Sequence, residues 1–257
     1  MDHLTFQVEE KVGLITFTSP PANALSTGLL VELSKVLDEV EETPQIKAIV
    51  IRGEGKFFSA GADIKEFTSL QDADDYTSLA ERGQQLFNRM EKFHVPIIAS
   101  IHGAALGGGL ELAMSCHMRI VTKDAKLGLP ELTLGIIPGF AGTQRLPRYV
   151  GLPKSYEMIL TGKPISGVES KEWGLVNHAV SEEELEDFTM NLVNKIVDKS
   201  GPSVQAVMDL LPYAHTSQFQ AGVSEEAKRF GNVFGTEDAK EGIQAFIEKR
   251  KPNFKDH

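Results

Sequence analysis

Apolar residues change their spacing several times along the chain, and each change marks an element. "LTFQVEE" and "VGLITFTS" alternate apolar and polar positions around Gly13, which predicts two strands joined by a turn. After Ser26 the spacing lengthens, with Leu29, Leu30, Leu33, Val36, Leu37 and Val40 recurring at helical intervals. That stripe predicts a helix over about 27–42 with Ser26 as its N-cap. "IKAIVIRGEG", "PIIASIHG" and "MRIVTKD" are short, apolar runs, as expected of buried strands. A further helical stretch is predicted around 72–93, and Pro96 breaks the chain after it.

Strands and helices alternate in this way to about residue 195, which indicates α/β layering. Strand–strand–helix units recur without a clean sequence repeat. From about 182 onward every segment reads as helix: "EEELEDFTMNLVNKIVDKS", "PSVQAVMDLL", "GVSEEAKRFGNVF" and "EDAKEGIQAFIEKRK". One of these carries a stripe of Val223, Ala227 and Phe230 that needs a partner surface. A helical C-terminal cap, shared between subunits, is the natural expectation.

Composition narrows the class. The chain has 257 residues, 41% hydrophobic and 24% charged, enough for a substantial core without disulfides or structural metal. Cys116 is the single cysteine, which excludes an intramolecular disulfide and fits a reducing compartment. No apolar run reaches membrane-span length, and the N-terminus has neither signal nor transit character. A cytoplasmic protein with no membrane partner is expected. The formal net charge of −10 repels nucleic acid, so no nucleic-acid partner is expected either. One basic run, "EKRKPNFK" at 248–255, departs from this balance.

Several chemistries fail on spacing. Leu112 stands where a G-x-G-x-x-G fingerprint begun at Gly107 and Gly109 needs its third glycine, and no P-loop occurs. H-E-x-x-H and C-x-x-C are absent, and His102, Cys116 and His117 are scattered over a strand and a helix, so no metal site is expected. No G-x-S-x-G elbow seats a hydrolase serine, and Ser59 lacks an evident histidine partner.

Two segments share a design that holds. In "IRGEGKFFSAGADIKEF" a buried strand leads through Ala60-Gly61-Ala62-Asp63 into a helix, and in "IHGAALGGGLELAM" a buried strand leads through glycines into another. Backbone N–H groups at each helix start lack intrahelical partners, and small residues let a ligand reach them. Two such loops side by side could aim two N–H groups at one oxygen, forming an oxyanion hole. Taken singly, each is also an ordinary tight turn. Glu111 follows the glycines within one turn, and Glu131 lies in "KLGLPELTLGIIPG". A first-turn glutamate complements the helix dipole, and a carboxylate after proline can serve a loop. Both in apolar surroundings beside a candidate hole suggest a general acid–base pair. Burial and a neighbouring anion raise a carboxylate pKa while a helix N-terminus lowers it, and sequence leaves that contest open.

At these residues the chain resembles the crotonase superfamily, and specifically enoyl-CoA hydratases. The matching blocks are "PPANALS", "FFSAGADIKEF", "PIIASIHGAALGGGLELAMSCHMRI", "KLGLPELTLGIIPGFAGTQRLPRYVG", "LTGKPISGVESKEWGLVNHAV" and "EDAKEGIQAFIEKRKPNFK", which cover nearly the whole chain in family order. The resemblance implies an α/β fold, a crotonase-like right-handed spiral of ββα units over 1–195 with a C-terminal helical subdomain over 196–257. It implies a homotrimer or a dimer of trimers. It implies that the N–H groups of Ala62 and Gly108 grip a thioester oxygen and that Glu111 and Glu131 are the catalytic glutamates. Ala60, Ala62, Asp63, Ile64, Lys65 and Gly108 would contact the acyl-CoA, and Phe246 and Lys249 would reach a neighbouring subunit's coenzyme A. The basic run would then attract phosphates, although a helix C-terminus favours cations in any case. No cofactor is implied beyond the coenzyme A of the substrate itself. Leu129 departs from relatives that carry glutamine there, which bears on substrate orientation. The implied reaction is hydration of a trans-2-enoyl-CoA. Its rivals are a Δ3,Δ2-enoyl-CoA isomerase, which moves a proton with one carboxylate, and a non-catalytic or RNA-binding relative.

Overall fold

The computed structural model describes residues 1–67, 72–214 and 216–257. The chain opens with β1 (Leu4–Glu9) and β2 (Val12–Phe17), the expected hairpin, and then α1 (Thr27–Glu41) and β3 (Ala48–Gly53). A one-turn α2 (Ile64–Phe67) and the long α3 (Ala73–Glu91) precede β4 (Ile97–Ile101) and β5 (Ala104–Leu106). Next come α4 (Gly108–Ser115), β6 (Met118–Thr122), β7 (Lys126–Gly128) and a 3-10 turn over Glu131–Leu134. The spiral closes with α5 (Gly142–Thr161), β8 (Ile165–Ser166), α6 (Gly167–Glu172) and β9 (His178–Val180). Among the described residues only helical elements follow: α7 (Leu185–Val197), α8 (Gly201–Leu210), α9 (Phe219–Phe234) and α10 (Glu237–Glu248), with a 3-10 turn at Leu211–Tyr213.

A six-stranded sheet runs in the order β1-β2-β3-β4-β6-β9, parallel except for the β1–β2 hairpin. Both of its faces are covered, which is why its inner strands read as continuous apolar runs. Ile15, Ile49, Ile51, Ala99 and Val121 point into the main core beneath α1 and α3. Their alternating neighbours Leu14, Val50, Ile98 and Ile120 pack instead with Leu185 and Val193 of α7. The α1 stripe enters the main core, with all six of its apolar residues buried. Ser26 caps that helix by accepting the Leu29 N–H at 3.2 Å.

A second, shorter ladder positions the site. β5 pairs in parallel with β7, and β7 pairs antiparallel with β8. Isolated parallel bridges continue it from Ser59 to Ala105 and from Leu25 to Ala62. Each spiral turn therefore lays one strand in the large sheet, one short segment in the ladder, and then a helix. The stretch after "PIIASIHG", expected to be a glycine loop, contains β5. Also unforeseen as one element is α5, which kinks at Gly151, whose φ of 74° is non-helical, so that Pro153 falls in the first turn of the segment after the kink, where a missing N–H costs little.

The last helices build outward. Tail residue Asp256 accepts from Lys47 Nζ at 2.6 Å and from Gly201 N at 2.8 Å, while Asp238 of α10 accepts from the amides of Lys255 and Asp256. These bonds tie the end of the chain to α8, α10 and the residue before β3. Val223, Phe230 and Phe234 of α9 remain exposed within one chain. Among the described residues no helix is long and apolar enough to cross a membrane.

Leu33 is fully buried in the α1 stripe. Leu33→Ala should destabilise the fold by about 2–5 kcal/mol through lost burial and the cavity it leaves. Urea denaturation at fixed protein concentration measures this, and a change below about 1 kcal/mol would show that α1 is not anchored as described.

Candidate active site

The ladder register brings the two candidate amides together. Ser59 is bridged to Ala105, so Ala62 and Gly108, each three residues further on, arrive at the same level of adjacent segments. A methyl group built on Gly108 would stand 3.3 Å from the Ala62 nitrogen and 3.2 Å from the Phe140 ring. On Gly109 it would lie only 2.4 Å from the Ser59 carbonyl oxygen, so any side chain there would force the two turns apart. Gly107 turns the chain into α4 with φ +52°, and a side chain on it would meet Glu131 Oε1 at 3.1 Å. The Ala62 and Gly108 N–H groups have no backbone acceptor among the described residues, whereas the Gly107 N–H is taken by Gly128 O at 2.9 Å. Two free donors thus sit at the start of α4 and the end of the preceding ladder segment.

Both glutamates flank these donors. Glu111, in the first turn of α4, is 1% exposed, and its Oε1 accepts from Phe140 N at 2.8 Å and Gly142 N at 2.7 Å. Ala141, between those donors, has φ 71° and ψ 25°, so the two N–H groups converge as an anion-binding nest. Burial pushes the Glu111 carboxyl up to about 7, opposed by the Gly142 amide, reinforced by the charge of Glu131, and opposed further by Phe140 N and Arg145. Glu131 opens the 3-10 turn and is also buried. Its Oε2 has no hydrogen-bond partner among the described residues. Burial raises its pKa as well, with only its own backbone N–H opposing. Leu129, fully buried, supplies only carbon beside the pair: its Cδ1 packs toward Gly142.

Ala62, Gly108, Glu111 and Glu131 therefore cluster around the start of α4. Asp63 caps α2, accepting the Lys65 N–H at 3.0 Å, and Ile64 stays exposed beside it. The Ala60 N–H is taken by Ala22 O at 2.9 Å, so it is not a free donor like those of Ala62 and Gly108. Phe246 and Lys249 lie elsewhere, on α10 and its end, where Phe246 is 84% exposed. The basic run beside them is not a free patch. Arg250 pairs with Glu241 and Glu248, and Lys251 pairs with Asp198, so half of the expected attraction for phosphates is neutralised internally. The nest residues Phe140 and Gly142 and the buried Arg145 were not singled out from sequence. The signal for the nest was the Gly139–Gly142 spacing after proline, while nothing in the sequence marks Arg145.

Comparison with known proteins decides the family. Residues 7–257 match the family model described as enoyl-CoA hydratase/isomerase. The chain belongs to the enoyl-CoA hydratase/isomerase family. A probable enoyl-CoA hydratase of Bacillus subtilis is 56% identical over 99% of both chains. A short-chain-enoyl-CoA hydratase of Clostridium acetobutylicum is 37% identical over 98% of this chain and 97% of its own. The solved enoyl-CoA hydratase of Bacillus anthracis superimposes with a TM-score of 0.94 at 34% identity, covering 99% of this chain and 100% of that one. The α/β fold is accordingly the crotonase-like spiral, with its helical C-terminal region.

A carboxyl with its pKa raised on folding keeps its proton in the native state over a range where the unfolded chain has lost it. Stability is therefore lost as pH rises from the ordinary carboxylate value of 4.5 toward about 7. Glu111→Gln keeps an acceptor for Phe140 N and Gly142 N but removes the charge. Relative to wild type it should gain up to ~3 kcal/mol between pH 5 and pH 8. Denaturation at the two pH values measures this; a difference independent of pH would mean that Glu111 titrates normally.

Proposed function

We propose that the chain is a hydro-lyase that adds water across the double bond of a trans-2-enoyl-CoA to give a 3-hydroxyacyl-CoA. The observation that carries this reading is a pair of buried carboxyls, Glu111 and Glu131, beside two unpaired amides. The thioester oxygen accepts from the N–H groups of Ala62 and Gly108, where negative charge develops as the enolate forms. Fixed donors at such a position are worth ~10²–10³ in rate each. Glu111, supported by two amides and the charge of Arg145, is the carboxylate of the pair and takes a proton from the attacking water. The water oxygen bonds to Cβ, and the electron pair of the double bond moves toward the thioester. When Glu111 is ionised the single proton of the pair sits on Glu131, whose Oε2 has no protein partner, and passes from there to Cα. The proton gained by Glu111 then returns to Glu131 and resets the pair. The activating group is the thioester, so coenzyme A serves as part of the substrate rather than as a separate cofactor.

The same reading extends to the surroundings. Ala60, Asp63, Ile64 and Lys65 contact the coenzyme A, and Phe246 and Lys249 reach the coenzyme A of a neighbouring subunit. Exposed apolar residues of α9 support a homotrimer or a dimer of trimers, in which α10 approaches an adjoining site. Breakdown of fatty acyl chains in the cytoplasm is the setting we infer. Isomerase chemistry needs one carboxylate, and two facing the same donors favour hydration.

Loss of the conjugated-thioester absorbance on mixing with crotonyl-CoA tests the reading. Wild type should hydrate it, with kcat/KM rising as Glu111 ionises through about 7. Glu111→Gln and Glu131→Gln should each lose ~10²–10⁴ in kcat. Failure of wild type to hydrate crotonyl-CoA and longer 2-enoyl-CoAs would remove the proposal, and turnover of 3-enoyl-CoAs alone would point to the isomerase.

A further inference from the structure

Arg145 is 2% exposed, a degree of burial that arginine reaches only when its donors are used. Its Nη1 donates to Phe140 O at 2.8 Å, its Nη2 to Asn88 Oδ1 at 2.7 Å and its Nε to Glu91 Oε2 at 3.2 Å. The nearby acid does not explain the burial, because Glu91 is partly exposed and already serves Arg148. The carbonyl does. It belongs to the peptide between Phe140 and Ala141, and the peptides on either side supply the two N–H groups that hold Glu111. Ala141 keeps a left-handed φ of 71°, which a non-glycine residue holds only under outside restraint. Helix α3 supplies that restraint. Besides Asn88 and Glu91, it sends Gln84 Nε2 to Gly139 O at 2.8 Å and sets Phe87 edge-on against Phe140 at 5.4 Å.

We propose that Arg145 is a positioning residue for the hydration: anchored to α3, it fixes the Phe140–Gly142 turn that holds the Glu111 carboxylate. The inference rests on the reading of Glu111 given above. The charged groups that face Glu111 among the described residues are Glu131, from the 3-10 turn, and Arg145, from α5; Glu91 and Arg148 lie behind Arg145. Arg145 thus acts twice, holding the middle peptide of the nest by geometry and favouring the ionised carboxylate by charge.

Crotonyl-CoA hydration measured across pH separates these effects. Arg145→Met should lower kcat by ~10-fold or more, since small misplacements of catalytic groups are costly, while KM changes little. Its acidic limb should move to higher pH because the neighbouring cation is gone. Arg145→Lys should hold the limb near its wild-type position without recovering full kcat, since an ammonium cannot span the three acceptors. Asn88→Ala combined with Glu91→Gln frees Arg145 from α3 at exposed or half-buried positions, and should lower kcat several-fold with the limb in place. The proposal is overturned if folded Arg145→Met keeps kcat within twofold, or if it loses kcat with the limb unmoved. Should Arg145→Met not fold, a wild-type kcat in the double variant overturns it. Glu111→Gln in parallel keeps the two readings apart. An active Glu111→Gln removes the role of Glu111 itself, whereas an inactive one beside unaffected Arg145 variants counts against Arg145 alone.

Discussion

The close approach of two backbones, Gly61–Ala62 on one ladder segment and Gly107–Gly109 on the next, is the contact on which the site depends. Side chains normally hold neighbouring turns apart; here a single methyl group on Gly109 would collide with the Ser59 carbonyl. The ladder can close as it does only because Gly109 carries no side chain. Closure sets the Ala62 and Gly108 amides side by side and leaves both without a backbone acceptor. Unpaired N–H groups in a buried wall are unfavourable unless something with negative charge visits them. The glycine run is thus a condition of the paired donors as much as of the turn.

The same compaction decides the acid–base properties of the pair. Glu111 and Glu131 are removed from water by packing among Leu129, Phe140 and the start of α4, and burial is the largest influence on each. They differ in what opposes burial. Glu111 has two amides and a cation, whereas Glu131 has its own backbone N–H. Two chemically identical side chains near the start of α4 are made unequal by the backbone around them.

That backbone is held from a distance. Helix α3 contributes no side chain to the carboxyl pair, yet Gln84, Asn88 and Glu91 fix the turn behind Glu111, directly or through Arg145. The burial of Arg145 follows from this work on a carbonyl rather than from its ion pair. It also explains why α5 begins with a left-handed alanine instead of a capping side chain.

Much of this was legible in the chain itself. Apolar runs buried on both faces and the Leu29-to-Val40 stripe specify the large sheet and α1, because the period of burial is a local property of sequence. Glu111 and Glu131 stood out because carboxylates in apolar company are costly without a task. The short ladder was not legible, since its segments run to three residues or fewer and carry no period. Pro147 and Pro153 concealed the extent of α5, which continues past a kink at Gly151. The nest at Phe140 and Gly142 and its anchor Arg145 were invisible for a different reason: they act through backbone groups, which every residue but proline possesses. Likewise the basic run at 248–255 looked free until Glu241, Glu248 and Asp198 were found to neutralise much of it. Sequence alone determined which residues are small enough, apolar enough or acidic enough to build this site. Which amides are left unpaired, and which others steady the Glu111 carboxyl, was decided by tertiary structure, because both depend on the register between segments distant in the chain.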